Sequence, residues 1–271
     1  MPEDEKKGAA RKAYPGSGWK TPCDFENKTE ERTKRMAEYI ALDLETTGLD
    51  PRKDKILEIG AARVRDGEIQ ESYLTFVDNR IKIPEFITEL TGITEEMTAG
   101  APSPSEAVAG FLEFCGDMPI LGHNILFDYS FIKKAAVNMG KGFERQGIDT
   151  CRIARKFMEE PKKKSLESLC GYYHIERARC HRAYDDAVAA SQLYDCLKKD
   201  FFLVSPAAFE PSALYYQVKK DSPLTKSQKV YLNDLIKYHR IELDVPVDAM
   251  TKSEASRMID FIILNYGRIK R

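Results

Sequence analysis

No stretch of this 271-residue sequence approaches the roughly 18 consecutive apolar residues that a membrane-crossing helix needs, so nothing in it asks for a lipid environment. The opening residues, MPEDEKKGAARK, lack the apolar segment of an export signal. Net charge is nearly absent too. Against 43 Asp+Glu stand 42 Lys+Arg, leaving −1 and a pI near 6.5, which excludes the overall basic surface of a protein that holds nucleic acid by charge alone. Cysteines are few and scattered: Cys23, Cys115, Cys151, Cys170, Cys180 and Cys196 lie in long, helix-rich sequence, which excludes a small disulfide-framed fold and predicts reduced thiols. A zinc site from Cys170, His174, Cys180 and His181 is conceivable, but the spacing fits no common zinc pattern. Internal repeats and low-complexity tracts are absent as well. These absences together predict a soluble, cytoplasmic protein with no membrane partner.

What charge there is lies unevenly. Residues 37–204 carry 22 basic against 28 acidic side chains, whereas 1–36 carry 9 against 7 and 205–271 carry 11 against 8. An acidic centre binds phosphate poorly unless cations neutralise part of it, a first hint of metal ions. Residues 1–35 are polar and broken by Pro15, Gly16, Gly18 and Pro22, which predicts a flexible leader, with a short helix over Lys28–Met36.

Residues 36–204 read as the main domain. Apolar alternation predicts a strand over 39–45, and 56–65 and 73–77 are two further strand candidates, with Asp66-Gly67 as a hairpin turn. Helical spacing follows over 105–115, 130–139, 151–158, 165–172 and 184–199, with short strands at 118–122 and 148–150. This order predicts an α/β or α+β sheet covered by helices. Pro206 and Pro211 mark residues 205–222 as a linker. Residues 223–271 read as a small helical module: a helix over 225–239 faces inward with Leu232, Leu235 and Ile236, and one over 252–264 with Ala255, Met258, Ile259 and Ile262. Thr225 and Ser253 are the expected N-caps.

Three segments carry the chemistry. In Ala41-Leu-Asp43-Leu-Glu45-Thr-Thr-Gly48, strand alternation puts Asp43 and Glu45 on one face. Two like charges there repel, and a divalent cation would relieve them, although a solvated strand face with two incidental acids is an equally ordinary reading. In Gly122-His123-Asn124-Ile-Leu-Phe127-Asp128, a short strand runs into a helix, and Asp128 is either a first-turn acid suited to the helix dipole or a ligand beside the sheet end. In His181-Arg-Ala-Tyr-Asp185-Asp186, Asp186 shares an apolar stripe with Ala190, Leu193 and Leu197, a costly place for a carboxylate unless it is paired or metal-bound. Asp185 falls on a neighbouring face and is expected to be a solvated capping acid. His181 precedes the helix, where a lone histidine is more often structural.

In this order, Asp43-x-Glu45, His-Asn-x-x-Phe-Asp128 and His181-x-x-x-x-Asp186 resemble the three exonuclease motifs of the DEDDh family, that of the DnaQ-like proofreading epsilon subunit of bacterial DNA polymerase III, RNase T and oligoribonuclease. The resemblance covers roughly residues 37–200, and Leu90-Thr-Gly-Ile-Thr94 and Ser165-Leu-Glu-Ser-Leu-Cys170 support it. It implies an RNase H-like α/β fold, a mixed five-stranded sheet flanked by helices, with the helical extension outside the pattern. It also implies a metal-dependent 3′→5′ exonuclease that releases 5′-nucleoside monophosphates with two divalent cations, Mg²⁺ or Mn²⁺. Asp43 would bridge both ions, Glu45 and Asp186 would complete the first site, Asp128 would act through water, and His181 would be the general base, a role that histidine suits near neutral pH. Around the terminal nucleotide the resemblance places Thr46, Thr47, Gly48, Leu49, His123, Asn124 and Phe127. Backbone amides near Thr46 and Thr47 would meet that nucleotide, and Leu49 or Phe127 would wedge or stack against bases, although a core anchor is the commoner role for Phe127. The partner implied is a single nucleic-acid strand, DNA ahead of RNA, with a DNA polymerase subunit as a second. An exoribonuclease trimming RNA is the alternative, and a catalytically idle nucleic-acid-binding module a further one.

Overall fold

A computed structural model of the chain describes residues 38–177, 180–243 and 246–269. The expected leader, the Lys28–Met36 helix and Cys23 lie outside the described residues. The described strands are β1 (Tyr39–Thr46), β2 (Ile56–Arg65), β3 (Glu68–Phe76), β4 (Ile120–Gly122), β5 (Gln146–Asp149) and β6 (Ser212–Ala213), in one sheet of order β3-β2-β1-β4-β5-β6. The helices are α1 (Glu85–Thr91), α2 (Glu95–Thr98), α3 (Pro104–Cys115), α4 (Leu126–Asn138), α5 (Thr150–Phe157), α6 (Leu166–Tyr173), α7 (Ala183–Phe201), α8 (Lys226–His239) and α9 (Lys252–Tyr266). None of the described helices is long and apolar enough to cross a membrane.

β1, β2 and β3 form an antiparallel meander, β1, β4 and β5 run parallel, and β6 pairs antiparallel with β5. The β2–β3 hairpin turns through Asp66 and Gly67, both with positive φ (52° and 79°), which matches the strands' right-handed twist. β2 is buried on both faces, hence its near-continuous apolar run. Ile40, Leu42 and Leu44 of β1, with Ile59 and Ala61 of β2, form a core with Phe111 of α3 and Ile132 of α4. The opposite face, carrying Tyr39 and Ala41, lies under α7, where the Tyr39 hydroxyl is 2.9 Å from Ser191 Oγ.

α7 comes unusually close to the sheet. A Cβ on Gly60 would lie 2.0 Å from the Tyr184 backbone N, so only glycine lets β2 receive the first turn of this helix. The expected fold class stands, with two differences. The sheet has six strands, because the stretch expected as a linker contributes a 3-10 turn (Pro206–Phe209) and the two-residue β6. Helix α9 is capped by Thr251 and not by Ser253: the Thr251 hydroxyl accepts from Glu254 N, and Glu254 bonds back in a capping box.

α8 and α9 bury Leu232, Leu235, Met250, Ala255 and Ile262 between them. They also reach the rest of the molecule. Lys55 Nζ, in the β1–β2 loop, lies 2.6 Å from Glu254 Oε1, and Asp221 accepts from Lys134 and Asn138 of α4.

Candidate active site

The strand end is where the acids collect. Tyr39 and Ala41 are covered by α7, so only the last two positions of that face of β1, Asp43 and Glu45, remain half-buried at the rim. β4 pairs with β1 only at Ile40 and Ala41. Beyond it, Asp128 in the first turn of α4 takes the neighbour's place: its Oδ1 accepts the Leu44 backbone N–H at 3.0 Å, and the side chain is 2% exposed. From the other face, α7 brings the buried Asp186. Its Oδ1 is 2.9 Å from Arg177 Nη1 and its Oδ2 accepts the His181 backbone N–H at 3.1 Å. His181 is exposed, with φ at 58°, which turns the chain into the helix.

Ligand atoms of Glu45, His181 and Asp186 all lie within 4.8 Å of one another. Asp43 and Asp128 stand beside them, close enough to be felt electrostatically. Burial first, then the charges of Asp128, Glu45, Asp186 and Glu58, push the Asp43 carboxyl well above the ordinary range. Burial also pushes Asp128 well up, against the pull of its hydrogen bonds to backbone N–H groups. Glu45 is raised to about 7 by burial and by Asp186 and Glu58, with Arg182 opposing. Oxygen-rich carboxylates buried together in this way suit a hard divalent cation, which would offset both the burial of their charges and their mutual repulsion. The donor set therefore fits Mg²⁺ or Mn²⁺. Zinc held by thiols does not fit. The described residues gather His181 with carboxylates, not with Cys170, His174 and Cys180, and Cys180 is exposed while Cys170 is buried.

A sign follows for stability. Carboxyls whose folded pKa exceeds their unfolded value of about 4 stabilise fully below that value and lose this contribution as pH rises through the folded pKa, about 7 for Glu45 and raised for Asp43 and Asp128. Metal-free protein is expected to melt lower at pH 8 than at pH 5, by on the order of 5 °C, and millimolar Mg²⁺ or Mn²⁺ is expected to restore most of the loss at pH 8. Scanning fluorimetry across that range reads it; a flat metal-free profile would refute the strained-acid account.

The other expected site residues fall into two groups. Leu49 stands out at 84% exposure just past β1, and Asn124 is exposed with φ at 69°. Gly48 lies against Asp54, whose carboxylate a Cβ would meet at 2.6 Å. Thr46, Thr47, His123 and Phe127 are held by the protein itself. The Thr46 hydroxyl donates to Gly48 O, and Thr47 N donates to Lys55 O. Both His123 ring nitrogens are occupied, at 2.9 Å from Thr150 Oγ1 and 2.8 Å from Lys164 O, and burial pushes its pKa down. Phe127 packs half-buried against Phe131.

Asp185, expected to be solvated, is half-buried in the first turn of α7, near enough to Arg182 to help keep it charged. Three further groups escape the motif reading: Arg177, and the pair Glu58 and Arg182. Glu58 is fully buried opposite Glu45 and accepts from Arg182 Nε (3.1 Å), Arg182 Nη2 (2.6 Å) and Ala183 N (3.2 Å). A lone acid inside the apolar run of β2 was the available signal for it.

A family model described as RNase_T, exonuclease, matches residues 40–194. Over 156 residues the chain is 42% identical to a PolC-type DNA polymerase III of Clostridium perfringens, an alignment covering 58% of this chain and 11% of that protein. Over 157 residues it is 36% identical to the DNA polymerase III subunit epsilon of Aquifex aeolicus, covering 58% of this chain and 78% of that one. Among solved structures, exonuclease I aligns with a TM-score of 0.55 at 17% identity over 62% of this chain and 44% of that one. A zinc-bound complex of E. coli exonuclease I with single-stranded DNA gives 0.54 at 17%, over 62% and 43%.

Proposed function

This chain belongs to the RNase_T exonuclease family, and from that premise we propose that it is a metal-dependent 3′→5′ exonuclease acting on single-stranded DNA, with a proofreading role beside a DNA polymerase. The observation that carries the reading is the convergence of Glu45, His181 and Asp186 within 4.8 Å, next to Asp43 and Asp128. The proofreading role rests on the similarity to the epsilon subunit and to the PolC-type polymerases, of which the chain spans only a small part.

In this reading Asp43, Glu45, Asp128 and Asp186 would hold two divalent cations, which would supply an activated water and charge stabilisation for the leaving 3′ oxygen. His181 accepts the proton from the attacking water at a ring nitrogen, and its exposure lets that proton pass on to solvent. Arg177 pairs with Asp186 at 2.9 Å and so fixes the position of its carboxylate at the site. Leu49, at the rim of the site, offers an apolar contact to the terminal base.

The test is digestion of matched 5′-labelled single-stranded DNA and RNA oligomers with Mg²⁺ or Mn²⁺. A ladder shortening from the 3′ end, faster on DNA and abolished by EDTA, is expected. Faster shortening of RNA would move the assignment to an exoribonuclease. No cleavage with either metal would leave only an idle binding module.

A further inference from the structure

The charge of the acidic centre has its opposite elsewhere in the molecule. A groove of about 1000 Å³ runs between the β1–β2 loop, α4, the segment ahead of α8 and the first turns of α9. It is lined by Arg52, Lys53, Lys219, Lys220, Lys252 and Arg257, all exposed. Two acids also line it, Glu144 and Asp221, and both are engaged by lysines of α4, at 2.8 Å from Lys133 and 2.7 Å from Lys134. Arg52 and Lys53 share Asp50. Lys219, Lys220, Lys252 and Arg257 have no acidic partner among the described residues. In a chain of net charge −1, uncompensated cations gathered into one groove imply a polyanionic ligand.

Two elements of the chain serve both the groove and the site. The β1–β2 loop leaves Glu45, passes Leu49 and reaches the groove at Arg52 and Lys53. α4 carries Asp128 in its first turn and Lys133 and Lys134 further along. A polyanion with its end at Glu45, His181 and Asp186 would thus have somewhere to lay its next phosphates. All four of these unpaired cations, Lys219, Lys220, Lys252 and Arg257, lie beyond residue 194, outside the region that matches the exonuclease family. We propose that this groove is a phosphate-backbone track for the part of a single nucleic-acid strand upstream of its 3′ end, supplied by the chain's own C-terminal extension. The proposal rests on the exonuclease reading for its polarity.

Binding is measured without catalysis, so that it does not depend on cleavage: fluorescence anisotropy of labelled 12-nucleotide and 4-nucleotide DNA with the full chain in EDTA. The unmodified protein is expected to bind the 12-mer at least about tenfold more tightly than the 4-mer, and Lys219→Ala/Lys220→Ala/Arg257→Ala to lose most of that advantage and to show a salt slope shallower by about 2. Lys219→Arg/Lys220→Arg is expected to keep the advantage, since the charge stays. Equal binding of the 12-mer by the triple variant and the unmodified protein, or no length dependence in either, overturns the track. The 3′-ladder experiment succeeds or fails independently of it.

Discussion

Asp43→Asn is expected to raise the melting temperature of the metal-free protein while lowering exonuclease turnover by about 10³-fold or more, because the same charge that destabilises the fold holds the cations. Asp43 is the acid most exposed to like charge: Asp128, Glu45, Asp186 and Glu58 all push its carboxyl upward on top of burial. An amide keeps the shape and removes the repulsion. A residue that only filled space would show neither change. Asp185→Asn is the control from the neighbouring motif position, expected to keep turnover within about threefold, since Asp185 is not among the residues that gather at the strand end. Melting curves in EDTA and rates with Mg²⁺ on one preparation decide the matter. Turnover of Asp43→Asn above about a tenth of the parent's would sink its assignment as a metal ligand.

Arg182→Ala is expected to destabilise the protein by about 3–5 kcal/mol, because it leaves the fully buried Glu58 without its cation. At this chain size that is a fall of roughly 10 °C or more in melting temperature. Stability and activity can then be separated. Replacing both partners, Glu58→Met with Arg182→Leu, removes the buried charges together and is expected to recover most of the loss. Turnover should nevertheless stay at least about tenfold down, since Glu58 also accepts the Ala183 N–H and so fixes the start of α7, one residue past Arg182 and two past His181. Full recovery of both quantities would mean that the pair only supports the fold.

These two cases also mark what the sequence makes readable. The bounds of β1 follow from two-residue alternation, those of β2 from its near-continuous apolar run, and α3 to α7 from helical spacing to within a few residues. β3 begins at Glu68, earlier than expected, because an edge strand with an exposed, charged face lacks the apolar alternation on which recognition depends. α1 and α2 are seven and four residues long, too short to show a period. β6 joins the sheet through two residues whose own side chains are exposed, so burial leaves no pattern in them. At the site, the acids and His181 are conspicuous because each interrupts an apolar element or stands at its edge. Arg177 and Arg182 are not, because a surface-type residue announces its partner only once the chain has folded.

The 2.6 Å pair between Lys55 and Glu254 bears on how such a chain could diversify. It ties the loop at the mouth of the site to a capping residue of the last helix, some two hundred positions away in sequence. An extension joined in this way is in contact with the loop, so a change at either end of the pair is felt at the other. Grafting the tail of a relative onto this chain would remove Glu254 and leave Lys55 of the loop to a different neighbour.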